Sequence, residues 1–191
     1  MRVKDENKNE AIFAATIDLL NEIGFADTSM SKIAKRANLS SATLYIYFEN
    51  KDDMLKKTYL FVKQKMMEAL RGAMTQGMSV RETIAALMRS MLEYLLENKA
   101  YFLFSEQFEN SPFIEKLCLH DQADNPIHLY YDYFDKAKAD GVLKNADTPL
   151  LIAYCYYPVI YLVKDIFNCG DRNTQERLEQ AIELTWQAIR A

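Results

Sequence analysis

Glycine and proline are scarce in this sequence, which has five glycines and four prolines among 191 residues. No segment stands out with the alternation of apolar and polar residues that a half-buried strand requires. Half of the residues are hydrophobic, so the chain has enough apolar surface for a sizeable core. With so few helix-breaking positions, the sequence predicts an all-α protein with one large domain or two small ones.

Cysteine and long apolar segments are also sparse. Cys118, Cys155 and Cys169 are odd in number and widely spaced, which implies no disulfide framework and fits a reducing cytoplasm. The N-terminus, MRVKDENKNE, lacks the apolar core of a signal peptide. The longest apolar run, 150–163, has 14 residues and contains a proline, whereas a bilayer span needs about 20. We therefore expect a soluble cytoplasmic protein.

Catalytic motifs are missing as well. The sequence has two histidines and shows no nucleophile elbow, phosphate-binding loop or paired-carboxylate motif. Its one cluster of metal-ligand residue types matches no standard zinc spacing and consists of Cys118, His120, Asp121, Asp124 and His128. We predict no catalytic residues, no metal site and no cofactor, and a helical enzyme is the least favoured alternative.

An excess of positive charge, which many nucleic-acid-binding proteins have, is absent. The net charge is −4, and residues 1–57 contain nine basic and nine acidic residues. A neutral module can bind DNA when its cations face one way, but its non-specific affinity is expected to be modest.

The most informative stretch that is present spans residues 28–51. A first short helical pattern places Ile33 and Ala37 four residues apart on one apolar face. An Asn-Leu-Ser break follows, with the serine placed as an N-cap. A second pattern places Leu44 and Phe48 four apart, so that they can pack on the first helix. Two short helices joined by a tight turn predict a helix-turn-helix.

The second helix of this pair has small and hydroxyl-bearing side chains instead of charged ones. No charged residue occurs from Leu39 to Phe48. Small residues at the start of a helix allow its axis to approach base edges in the major groove, and hydroxyls can contact bases or phosphates.

The segment TSMSKIAKRANLSSATLYIYFENKDDML resembles the DNA-binding signature of TetR-type transcriptional regulators. The matching features are Thr28-Ser29, Ile33-Ala34, the Thr43-Leu44-Tyr45-x-Tyr47-Phe48 core, and Lys51 three residues later. The resemblance implies a helix-turn-helix DNA-binding domain in residues 1–50 and a helical ligand-binding and dimerisation domain in residues 51–191. It further implies a homodimer formed through the last two long helices, 148–168 and 173–190.

Such a dimer would bind a palindromic double-stranded DNA operator with one helix of each subunit in a major groove. We assign base reading to Ser41, Ala42, Thr43 and Ile46, the last through thymine methyl groups. We assign phosphate contacts to Ser29, Tyr45, Tyr47 and Lys51, with Lys35 as a weaker candidate.

Aromatic residues are concentrated in the second half of the chain, where 13 of the 23 fall between Tyr101 and Tyr161. Buried tyrosine hydroxyls need hydrogen-bond partners, so a plain helical core usually prefers leucine and isoleucine. A pocket for a small hydrophobic or aromatic effector explains the excess, and packing in the core or a dimer interface is the alternative. The predicted pocket residues are Phe102, Glu106, Phe108, Tyr130, Phe134 and Tyr157. Glu106 would select a cation if it faces the pocket, and the alternative is a solvated glutamate.

The sequence thus predicts a ligand-responsive transcriptional repressor that a small hydrophobic effector releases from its operator. The alternative is a helical protein that binds DNA or recruits partners without a small-molecule effector. An apolar compound that releases DNA would separate the two hypotheses.

Overall fold

The computed structural model describes the backbone of residues 2–111 and 128–191 and the side chains of residues 9–111 and 129–191. Within these ranges the chain forms nine helices and no strand, so the predicted all-α class is confirmed. The helices are α1 (Arg2–Asp27), α2 (Met30–Arg36), α3 (Ser41–Tyr47), α4 (Lys51–Arg71), α5 (Val80–Glu97), α6 (Lys99–Glu109), α7 (His128–Ala139), α8 (Thr148–Cys169) and α9 (Thr174–Ile189).

The helices fall into two compact units. The N-terminal unit contains α1 to α3, α4 as far as Lys65, and α6. The C-terminal unit contains α4 from Met66, α5 and α7 to α9. Helix α6 therefore belongs to the same unit as α2 and α3, although it follows them by about 50 residues in the sequence.

Helix α1 begins at Arg2 and is interrupted at Gly24. The backbone of Gly24 has φ 75° and ψ 177°, a conformation that glycine adopts at little cost. The hydroxyl of Thr28 donates to the Gly24 carbonyl at 2.7 Å, so a carbonyl left over at the break is satisfied.

Serines cap both short helices of the helix-turn-helix. The hydroxyl oxygen of Ser29 accepts from the amide of Lys32 at 3.4 Å, and that of Ser40 accepts from the amide of Thr43 at 3.1 Å. Between them Asn38 adopts the left-handed conformation with φ 56°, which asparagine tolerates better than most residues. The predicted turn and the predicted N-cap serine are confirmed.

The apolar residues of these helices pack as the sequence predicts. Ile33 and Leu44 are fully buried and Phe48 nearly so. They join Ile12 of α1 and Met54 of α4 in one core cluster. Burial of each such side chain contributes roughly 2 kcal/mol to folding, so α2 and α3 are fixed on α1 and α4 by their own hydrophobic faces.

Helix α6 completes a second core cluster in the N-terminal unit. Phe104 and Phe108 are fully buried there with Leu20 of α1 and Leu55 of α4. Phe108 also stacks on the ring of Tyr59 of α4, with the ring centroids 4.4 Å apart.

The C-terminal unit is built around α8, which contacts α5, α7 and α9. The bidentate pair between Arg89 and Glu179, at 2.8 and 2.6 Å, joins α5 to α9. By length and composition alone, α8 is also apolar enough to cross a membrane, and 28% of its most apolar window is buried. Its contacts within the unit explain only part of this apolarity, because several large side chains remain exposed on it.

Candidate nucleic-acid interface

One face of α3 is open to solvent. Ser41, Ala42, Tyr45 and Ile46 are exposed on it, at the spacing that places residues on adjacent sides of a helix. The side chain of Ile46 is 77% exposed and that of Tyr45 is 57% exposed, whereas the preceding residue Leu44 is fully buried in the core. Three of these exposed residues are among those assigned to base reading, and Tyr45 is among those assigned to phosphate.

The exposed face consists of two ridges. Ser41 and Tyr45, four residues apart, form a hydroxyl ridge, and Ala42 and Ile46 form a parallel methyl ridge. The hydroxyl ridge borders a cavity of about 400 Å³ whose lining residues are Thr28, Ser29, Met30, Ser31, Ser41, Tyr45 and Lys51. The structure therefore groups Ser41 with the predicted phosphate residues Ser29, Tyr45 and Lys51.

The cavity has the donors that a phosphate oxygen requires. Lys51 lines the cavity, and its ammonium donates one hydrogen bond to the carbonyl of Phe25 at 2.6 Å. An ammonium has three protons, so two remain to be shared with an anion. Partial burial lowers the pKa of Lys51, because removing the ammonium from water disfavours its charge.

Lys57 of α4 is a residue that sequence reasoning missed. Its ammonium donates to the carbonyl of Tyr47, the last residue of α3, at 3.2 Å and to the Asp53 carboxylate at 2.8 Å. It also lies 5.4 Å from the ring centroid of Phe48. A cation at a helix C-terminus is favourable. The spacing of Asp53 and Lys57 signals an ion pair, but it gives no hint of the bond to α3.

Three other residues that were predicted to contact DNA do not belong to this exposed face of α3. The hydroxyl of Thr43 lies 2.8 Å from that of Ser40, so it takes part in the helix cap. Tyr47 is half-buried against the core cluster that contains Phe48. Lys35 is exposed near the end of α2.

The six predicted ligand-binding residues are divided between the two units. Phe102 and Phe108 on α6 are buried, and Glu106 on the same helix is half-buried. The stacking of Phe108 on Tyr59 makes Phe108 a core residue of the N-terminal unit.

The other three predicted ligand-binding residues lie in the C-terminal unit. Tyr130 and Phe134 on α7 are buried, and the Tyr130 hydroxyl donates to the carbonyl of Met67 on α4 at 3.3 Å. Burial raises the pKa of Tyr130 to about 12. Tyr157 on α8 is 63% exposed and so belongs to the surface of this unit.

The cluster from Cys118 to Asp124 lies outside the described residues, as does the side chain of His128. Among the side chains that the structure describes, no group of three or more histidine, cysteine, aspartate or glutamate residues is placed to hold a metal ion.

Two protein-family models cover almost all of the chain. Residues 12–58 match the family described as bacterial regulatory proteins of the tetR family, and residues 60–191 match the tetracyclin repressor-like C-terminal domain. The helix-turn-helix with its exposed α3 face defines a DNA-binding transcriptional regulator, and the chain belongs to the TetR family. The resemblance noted in the sequence is confirmed, and the family consists of transcriptional regulators, not enzymes.

Full-length relatives agree with this assignment. A helix-turn-helix transcriptional regulator of Haemophilus influenzae is 28% identical over 190 residues, covering 99% of each chain. The structure of a TetR family transcription regulator from Marinobacter aquaeolei VT8 is similar with a TM-score of 0.86 and 30% identity, covering 100% of this chain and 99% of that one. A TetR-family regulator structure from Haemophilus influenzae Rd has a TM-score of 0.82 and 26% identity, covering 98% and 99%.

The position of Lys51 at the cavity leads to a prediction about salt dependence. Replacing Lys51 with alanine should weaken binding to all DNA sequences alike and reduce the slope of log affinity against log salt by about 0.9, the contribution of one neutralised phosphate. The measurement is a fluorescence anisotropy titration at several salt concentrations.

Lys136→Ala is the matched control, because it removes the same charge from α7 of the C-terminal unit and should leave the slope unchanged. A loss of affinity confined to one base position, with the wild-type salt slope, would show that Lys51 does not contact phosphate.

Proposed function

We propose that this regulator is a homodimeric repressor whose two copies of α3 occupy successive major grooves of a palindromic operator, and that a small hydrophobic effector releases it. Functionally, residues 1–50 would contain the helix-turn-helix that reads the DNA, here called the reading head. Residues 51–191 would contain the dimer interface and the effector site. The protein would act in the cytoplasm. The observation that carries the DNA-binding part is the open α3 face beside the cavity with Lys51.

Binding through two copies compensates for the weak charge of each reading head. With no net charge in residues 1–57, a single subunit gains little from counterion release. Two linked reading heads make the second contact effectively intramolecular, which raises affinity without any new contact. Two-fold symmetry then requires half-sites with centres about 34–36 Å apart, or slightly more.

An exposed apolar stripe on α8 supports the homodimer. Leu150, Tyr154, Tyr157 and Tyr161 are between 48% and 63% exposed, and their spacings of four, three and four residues place them along one side of the helix. Leu184 of α9 is 71% exposed, and α8 and α9 pack on each other. Apolar side chains in such a continuous stripe are characteristic of an interface, and a second copy supplies the same stripe.

The effector part of the proposal depends on α7. Tyr130 and Phe134 are buried, and the Tyr130 hydroxyl is bonded to the Met67 carbonyl of α4. An aromatic or apolar compound that binds beside Tyr130 would change this contact. Because α4 runs from Lys51 to Arg71, a shift at Met67 moves a helix whose other end holds the reading head. The effector must bind the released form more tightly than the DNA-bound form.

Selection from a random DNA pool tests this function directly. The full-length protein should enrich a palindromic sequence, and members of a panel of hydrophobic and aromatic compounds should reduce binding to it. If no sequence were enriched, the result would contradict the proposal that the protein binds an operator. Selection of a palindrome that no compound of the panel releases would favour the alternative of a regulator without such an effector.

The dimer makes a separate prediction. Tyr157→Glu and Leu184→Glu should each raise the dissociation constant of the dimer by at least about tenfold, because an unpaired carboxylate would be buried in the interface. The affinity for the operator should fall as the dimer becomes weaker. Sedimentation velocity across a concentration series measures the change.

Met78→Glu is the control, because Met78 is a 41% exposed apolar residue of the same unit outside the stripe. Dimers that persist unchanged in Tyr157→Glu and Leu184→Glu would place the interface elsewhere.

A further inference from the structure

The recognition helix lacks the side chains that usually distinguish purines. Guanine is most often read by arginine or lysine, and adenine by asparagine or glutamine, each through two hydrogen bonds in the major groove. Residues 39–48, LSSATLYIYF, contain none of these four types. Whatever sequence preference α3 has must come from hydroxyl or methyl groups.

The structure commits most of the hydroxyls to other contacts. The Thr43 hydroxyl is paired with that of Ser40 in the helix cap, and Tyr47 is half-buried against the core. Ser41 and Tyr45 line the cavity with Lys51, where a phosphate oxygen would occupy them. These five hydroxyls are therefore poor candidates for the main source of sequence information.

The methyl ridge of Ala42 and Ile46 remains as the base-facing part of α3. At 77%, Ile46 has the largest exposed fraction of the large hydrophobic residues in the described chain. In the major groove, the thymine C5-methyl is the apolar group that a base pair offers to such a side chain. Contact between two apolar groups removes both from water and is favourable.

We propose that the Ala42–Ile46 ridge reads thymine through its C5-methyl group, so that each operator half-site contains a thymine whose methyl packs against Ile46. This inference rests on the proposed operator binding and specifies its chemistry. The hydroxyl ridge positions the helix on the phosphates, and the methyl ridge supplies the discrimination between bases.

The test replaces single thymines with deoxyuridine in the duplex that the protein selects from a random pool. Uracil retains the pairing and the O4 acceptor of thymine and lacks only the methyl. At one symmetrical position, uracil should weaken binding roughly fourfold in one half-site and about fifteenfold in both, the effects expected for the loss of one and of two buried methyl groups. Uracil at every other thymine position should leave the affinity unchanged.

A cycle with Ile46→Ala assigns the methyl to its partner. Ile46 is exposed, so the variant should fold normally, and it should bind the thymine and uracil duplexes with equal affinity. Met78→Ala, which truncates an exposed apolar residue of the C-terminal unit, should retain the full wild-type discrimination.

A second substitution separates the methyl from the rest of thymine. Changing the sensitive T·A pair to C·G should weaken binding, and 5-methylcytosine at that position should recover part of the loss. No recovery would show that the methyl group does not itself distinguish thymine from cytosine, and would overturn the inference.

The two levels of the proposal fail differently. If no duplex is enriched, the proposals of operator binding and of thymine reading are both wrong. If a duplex is enriched but uracil is tolerated at every position, or if Ile46→Ala discriminates as the wild type does, operator binding stands and thymine reading is wrong.

Discussion

Two lysines near the start of α4 donate hydrogen bonds to main-chain carbonyls on either side of the helix-turn-helix. The ammonium of Lys51 donates to the carbonyl of Phe25 at 2.6 Å, near the end of α1, and that of Lys57 donates to the carbonyl of Tyr47 at 3.2 Å, where α3 ends. The core cluster packs α2 and α3 against α1 and α4 through hydrophobic contacts, which are non-directional, whereas hydrogen bonds from a cation to a carbonyl are directional. The bond from Lys57 to the last residue of α3 would therefore help to orient the reading face of α3 relative to α4.

This arrangement explains how a reading head without net charge can contact DNA. Lys51 of the N-terminal unit lines a cavity together with the hydroxyl-bearing residues Ser29, Ser41 and Tyr45. The second ridge of α3 is the methyl ridge of Ala42 and Ile46, which contributes shape and not charge. In the proposed dimer, affinity would depend on the accurate placement of two copies, and a small movement of α4 would reduce it. A regulator that releases its operator in response to an effector benefits from such dependence.

The parts of the fold that sequence reasoning predicted are those defined by local chemistry. Ile33, Leu44 and Phe48 have helical spacing, and the serine caps and the left-handed Asn38 are local turn features, so the helix-turn-helix follows from them. The contact between Lys57 and α3 could not be predicted, because its partner is a backbone carbonyl and no residue type in the sequence indicates such a bond. The membership of α6 in the N-terminal unit depends on the stacking of Phe108 on Tyr59. That contact is formed across 49 residues, and composition alone cannot distinguish it from a ligand pocket.

Hydrogen exchange of the amides of α3 tests most directly whether α4 holds the reading head through these carbonyls. In Lys57→Met, which retains an apolar side chain near Phe48 but loses the bond to the Tyr47 carbonyl, exchange in residues 41–47 of the free protein should become faster. Exchange in α8 and α9 should not change. Affinity for the selected duplex should fall in the same variant. Wild-type exchange rates in residues 41–47 together with wild-type affinity would contradict the account, because α3 would then be oriented by core packing alone.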